Sequence, residues 1–297
     1  MSGIERNKKV FYIWLILSTA MKTEASQKVD FSRELDEAYD LSLESIKFYR
    51  EKGYVKLKNV LSPELLEYYG EVITDWVFKL NKLTKPMEER TTYEKAFLQV
   101  MNLWRENESI KEFVFSKRLA KIAAQLMQVD GVRLYHDQAL YKEPSGGITP
   151  WHADQFYWPL SNSNTVTVWV PLQHTPMEMG PLAFAESSQS VEIGRDKEIS
   201  DESEAILAET LKKFPIQETP FDLGEVSYHS GWTYHRAGTN SSKKARRVMT
   251  VIYMDKDIRI IEPTNEFRID DWNTWLDSKP VGSVADGKLN PVLYSKN

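Results

Sequence analysis

Five histidines and no cysteine set the metal chemistry open to this chain. Without thiolates, a transition-metal site must be built from imidazole and carboxylate ligands. His152 lies two residues before Asp154, in the run Trp151-His152-Ala153-Asp154. Along extended backbone such residues project to one face, so this imidazole and this carboxylate can share an ion without bending the chain. A His-x-Asp pair also arises by chance, and alone it reads equally as two satisfied surface side chains. A second imidazole changes its weight, because two histidines and one carboxylate leave coordination positions open for a substrate-like ligand and oxygen. His235 supplies a candidate, in Trp232-Thr233-Tyr234-His235-Arg236-Ala237-Gly238 before a turn rich in Gly, Asn and Ser. Arg246 follows eleven residues later, at the start of an apolar strand. An antiparallel return across the turn would bring it beside the metal, where a guanidinium grips a carboxylate through two parallel hydrogen bonds and an ammonium cannot. 2-Oxoglutarate matches that set: its keto-acid end chelates iron(II), and its far carboxylate needs a cation. Arg247 is the rival, but adjacent strand residues face opposite ways, and the spacing from His235 favours Arg246.

The other histidines have readings of their own. His229 lies six residues before His235 and would share its face on a straight strand, but Gly231 argues against one and the spacing to the arginine is lost. It is expected in the pocket wall. His136, followed by Asp137, reads as a surface pair at a strand start, and His174 as part of a polar turn.

The elements that must position these residues change character along the chain. Apolar residues recur at helical spacing from Asp30 to Arg50, Gly53 suits a left-handed cap, and Tyr54–Leu57 alternates as a strand. Ser62-Pro63 opens a helix running to about Leu80, and residues 94–104 and 109–128 have two further helical patterns. After Gly131 the texture is that of strands: Val132–Tyr141, Thr165–Val170 closed by Pro171, Leu182–Phe184, and segments near Phe221, Val226–Tyr228, Trp232–His235 and Arg247–Met254. A charged segment from Asp196 to Lys213 reads as an inserted helix. Helices followed by short strands with Gly/Pro turns predict a mainly β protein with α: a jelly roll supported by N-terminal helices, in one domain over 30–297.

Composition narrows the partners. The 297 residues carry a net charge of −5, which offers no broad attraction to nucleic acid or an anionic membrane. A small-molecule substrate is expected, and nothing sets the oligomeric state beyond a monomer as the simplest case. Residues 1–29 read as a tail. Arg6, Lys8 and Lys9 before the apolar run Val10–Leu17 have the order of a signal peptide, close to its shortest form. Met21 as the true start is the competing reading, favoured with a cytoplasmic location because the chemistry draws on a cytosolic metabolite.

The chain resembles the phytanoyl-CoA dioxygenase family, iron(II)/2-oxoglutarate oxygenases built on a double-stranded β-helix. The likeness runs from about Phe48 onward. Phe48-Tyr49-Arg50-Glu51-Lys52-Gly53-Tyr54-Val55 is similar to the family's opening helix and strand, and Trp151 to Pro159 to its metal motif and aromatic segment. Gly180-Pro181-Leu182 resembles its following turn, and His235 to Arg246 its distal histidine and arginine. The resemblance implies Fe(II), 2-oxoglutarate and O2, with His152, Asp154 and His235 on the metal and Arg246 on the cosubstrate. It implies cosubstrate contacts from Gln138, Lys142 and Trp169, the last of which core packing explains equally. Phe156, Tyr157, Trp158, Trp232 and His229 are candidates for the substrate pocket or, for the aromatics, the core. Ala153 stands where the family often has Gln, and Ala185-Glu186-Ser187-Ser188-Gln189 where it commonly reads Pro-Gly-Ser-His; the second departure bears on substrate choice. Related halogenases lack the carboxylate that Asp154 provides, so hydroxylation with release of succinate and CO2 is expected instead. A non-catalytic jelly roll binding a small ligand is the alternative, against which stands the presence of all four residues.

Overall fold

The computed structural model describes residues 30–296, and among these described residues eleven strands form two antiparallel sheets. The signal-like segment and the rest of 1–29 lie outside the described residues. The chain divides after Arg33, and the described residues from Glu34 onward form one compact unit. Among the described residues no helix is long and apolar enough to cross a membrane.

Capping residues divide the expected helices. The apolar spacing from 30 to 50 resolves into α1 (Ser32–Asp36) and α2 (Leu43–Lys52), because the Ser42 hydroxyl accepts the Ser45 amide and starts a new helix. Gly53, at φ 82°, ends α2, and β1 (Tyr54–Leu57) follows. Helix α3 (Pro63–Leu80) is capped by Ser62 with Pro in its first turn. The expected helix over 94–104 is replaced by α4 (Thr92–Ala96) and an extended β2 (Leu98–Met101). The 109–128 pattern splits into α5 (Glu108–Val114) and α6 (Lys117–Met127), with Ser116 as the cap of the second.

The strands are β3 (Gly131–Lys142), β4 (Thr149–His152), β5 (Thr165–Pro171), β6 (Leu182–Ala185), β7 (Ile216–Glu218), β8 (Val226–Ser230), β9 (His235–Ala237), β10 (Arg246–Asp255) and β11 (Val292–Ser295). Helix α7 (Asp201–Leu211) precedes β7, and α8 (Glu266–Trp275) follows β10. The larger sheet runs β1-β8-β5-β10-β3-β11, with β2 also paired to β3, and the smaller runs β4-β9-β6-β7. Tyr54, Trp169 and Val248 of the larger sheet pack against Leu182, Phe184 and Ala237 of the smaller. The fold is a jelly roll of the double-stranded β-helix type with helices added at its N-terminal end.

Candidate metal and cosubstrate site

The smaller sheet sets two imidazoles side by side. β4 and β9 pair antiparallel with His152 opposite His235, and their ring centres are 4.1 Å apart. β4 ends at His152, so Asp154 stands in a short 3-10 turn, Asp154–Tyr157, and not on a continuing strand. The shared face survives because the intervening Ala153 is extended, at φ −125° and ψ 126°.

Each histidine is held by its far nitrogen. His152 Nδ1 donates to the Pro150 carbonyl at 2.7 Å and His235 Nδ1 to that of Thr233 at 3.0 Å. This fixes the tautomer and turns each Nε2 lone pair toward Asp154, whose Oδ1 lies 3.6 Å from one and 3.7 Å from the other. One ion with bonds of about 2 Å to each atom bridges such gaps. Burial, aided for His235 by its imidazole neighbours, lowers both histidines against the opposing charge of Asp154, toward the neutral form that ligates. Burial alone would raise Asp154, but His235, His229 and His152 overcome it and hold the carboxyl well below its usual range.

His229 comes from the larger sheet, on β8, so no straight strand joins it to His235. Its Nε2 donates to Asp154 Oδ2 at 3.2 Å, and the Thr167 hydroxyl donates to the same oxygen at 2.9 Å. Oδ2 is thereby occupied and Oδ1 is left facing the two other imidazoles. Thr167 is two residues before Trp169 on β5, so strand alternation already marks it as facing the same way.

Arg246 is fully buried at the start of β10, opposite Lys142 of β3. It is not reached by a hairpin from His235: β9 and β10 belong to different sheets, and the connecting turn crosses between them. Among the described residues its one hydrogen bond goes to the Gly180 carbonyl, and its Nε has no partner. The guanidinium lies 5.4 Å from the centre of the Trp169 ring, whose Nε1 is likewise unpartnered. Burial pulls Arg246 down to about 9. A buried cation and two orphaned N–H groups beside a cavity fit an anionic ligand. Arg247 points away, donating to Gln173 Oε1 at 2.7 Å.

These residues share a cavity of about 430 Å³ that also receives Gln138, Tyr157 and Trp158. Several expected contacts lie elsewhere. Lys142 donates to the Gly147 carbonyl at 2.5 Å and that of Gly238 at 2.7 Å, pinning two loops and leaving the cavity wall. Phe156 packs edge-on against Tyr157 and reaches Phe267, while Trp232 stacks under Arg195; both line a separate surface groove. The Glu186 carboxylate meets Lys52 at 2.9 Å, so the unusual 185–189 loop braces β1 and α2 and does not line the cavity. His136 and Asp137 are no surface pair: both are buried, and His136 lines the cavity. Burial pushes His136 down to about 4 and Asp137 up to about 7. Tyr93, Phe97, Gln99 and Met101, around the unforeseen strand β2, complete one wall, and α8 provides another.

The phytanoyl-CoA dioxygenase family model matches residues 49–248. The chain belongs to that family. Its members are iron(II)- and 2-oxoglutarate-dependent oxygenases that consume O2, and the clustered His-Asp-His donors agree with this cofactor set. A probable alpha-ketoglutarate-dependent hypophosphite dioxygenase of Stutzerimonas stutzeri is 24% identical over 70% of this chain and 77% of its own length. The 1-deoxypentalenic acid 11-beta-hydroxylase of Streptomyces exfoliatus is 25% identical over 75% of this chain and 82% of its own. Among solved structures, the non-haem alpha ketoglutarate dependent carbocyclase SnoK from nogalamycin biosynthesis superposes with a TM-score of 0.71. It is 25% identical, covering 85% of this chain and 96% of that one.

Proposed function

We propose that His152, Asp154 and His235 hold the iron(II) of a hydroxylase that inserts oxygen into a C–H bond of a small molecule. The observation that carries this reading is the convergence of two Nε2 atoms on Asp154 Oδ1, at 3.6 and 3.7 Å, with both Nδ1 atoms tied to backbone. When bound, the metal and its keto acid supply the oxidative decarboxylation to succinate and CO2 and the oxidant that removes a substrate hydrogen. The protein's share is positioning and exclusion of water. Arg246 grips the far carboxylate of 2-oxoglutarate from a fully buried site, and Trp169 covers that end. His229 and Thr167 fix Asp154 so that one oxygen alone faces the metal position. Asp154 occupies the position that a halogenase leaves for halide, which favours hydroxylation. The hydroxylase among the relatives supports the same outcome.

The test is spectroscopic first and chemical second. Anaerobic addition of iron(II) and 2-oxoglutarate should produce a weak visible charge-transfer band, and metabolite screening should find a compound that stimulates succinate release and gains one oxygen. Folded protein with no such band overturns the site. A rearranged product without added oxygen overturns hydroxylation alone.

A further inference from the structure

The wall facing the proposed iron position has an unusual charge inventory. Apart from Arg246 and the histidines, the ionisable groups lining the cavity are the carboxylates Asp154, Glu198, Asp270 and Asp271 and the phenols Tyr93 and Tyr157. Nearby cations are committed elsewhere: Lys142 to two backbone carbonyls, and Arg268 to the Phe156 carbonyl at 3.0 Å. Arg246 is the cosubstrate's partner in the proposed site, and among the described residues no other Lys or Arg lines the cavity, so an anionic substrate would meet carboxylates there.

Helix α8 builds the receiving surface. Phe267, Asp271 and Trp275 stand four residues apart, one stripe of an α-helix, and all three line the cavity. The Tyr135 hydroxyl donates to Asp271 Oδ2 at 2.7 Å and the Trp275 side chain also hydrogen-bonds the carboxylate, which aims it. An ionised carboxylate with two oxygens still has capacity for a further donor. His136, four per cent exposed, lies beside Trp275 with ring centres 5.5 Å apart, and its Nδ1 has no partner. It is an unsatisfied polar group in the wall of the same cavity, on the strand that runs on to Gln138. A carboxylate between two aromatic rings is the chemistry that receives an ammonium group, through a charge-assisted hydrogen bond and the negative ring faces.

We propose that the substrate is a small organic amine, bound as its cation with the ammonium on Asp271 between Phe267 and Trp275 and a C–H bond turned toward the metal. This rests on the oxygenase site proposed above. Burial, which pushes Asp271 up to about 7 in spite of the Tyr135 and Trp275 hydrogen bonds and with Asp270 adding to it, is in keeping with a carboxylate that lacks its counter-ion.

The full-length protein, loaded with iron(II) and 2-oxoglutarate, is offered amines, the alcohols of matched skeleton, and the matched carboxylic acids. Succinate release and perturbation of the visible band are both measured. Amines should act at concentrations about ten-fold or more below their alcohols, the worth of one charge-assisted contact, and acids should not act. Asp271→Asn should raise the half-maximal amine concentration about ten-fold and that of the alcohols by clearly less. Phe267→Leu, which keeps apolar volume, should weaken the amines more than the alcohols. Acids acting as well as amines, amines without effect on either readout, or both variants shifting amine and alcohol equally overturns the assignment. Absence of the band before any compound is added strikes the underlying site instead.

Discussion

At the scale of single residues, the three histidines around Asp154 divide into two kinds. His152 and His235 present a lone pair, whereas His229 presents a proton to Asp154 Oδ2. Replacing each by alanine should therefore have unequal effects. His235→Ala should abolish the iron(II)/2-oxoglutarate band. His229→Ala should keep it with metal affinity about 10- to 100-fold weaker, the usual cost of losing a partner that orients a ligand. Equilibrium titration of iron(II) under nitrogen distinguishes the two, and a reversed order would make His229 the ligand. Arg246→Lys probes the other end of the cosubstrate. An ammonium keeps the charge but loses the fork, so the KM for 2-oxoglutarate should rise by about ten-fold or more while metal binding without cosubstrate is retained.

At the scale of elements, the backbone that supports Arg246 is itself constrained. Gly180 turns at φ 66°, a Cβ there would fall on the Gly238 carbonyl, and its own carbonyl receives the Arg246 guanidinium. Gly180→Ala should cost about 2 kcal/mol of stability from the left-handed conformation and the clash. It should also raise the KM for 2-oxoglutarate, because the carbonyl that holds Arg246 has to move; thermal melts and cosubstrate titration read the two effects. Elements also decide what could be read from the sequence. Alternation along β10 separates Arg246 from Arg247 in the sequence itself, whereas Gln138 and Trp169 are reached only through the family resemblance. Strand β2 was hidden, because Leu98–Met101 is extended only by pairing with β3, a partner some forty residues away. The Phe267, Asp271 and Trp275 stripe of α8 is present in the sequence, but nothing local says that a helix between β10 and β11 lines the cavity. Lys142, a cosubstrate contact only as the resemblance implies it, has its ammonium on two loop carbonyls instead.

At the scale of the whole molecule, the buried interior stores unfavourable ionisation that pH should expose. Asp271 and Asp137 are both raised to about 7, burial being the largest cause in each. Between the ordinary carboxylate range, about 4, and pH 7, the native state holds protons at these positions that the unfolded chain releases, so each contribution to stability falls as pH rises. The buried imidazoles act oppositely. His136 is lowered to about 4, with His152 and His235 also depressed, so between there and about 6.5 the unfolded chain binds more protons and their contribution rises with pH. The slope of the wild type alone therefore mixes opposing terms, whereas a difference between variants isolates one. Asparagine at 271 keeps an acceptor for the Tyr135 hydroxyl but has no proton to lose. In metal-free protein, Asp271→Asn should match the wild type near pH 4, gain on it steadily as the pH rises, and hold a constant advantage above pH 7. Denaturant melts at a series of pH values measure that gap. A saturating amine that pairs with Asp271 should close it from the wild-type side, since a bound cation stabilises the carboxylate that the empty cavity leaves uncompensated.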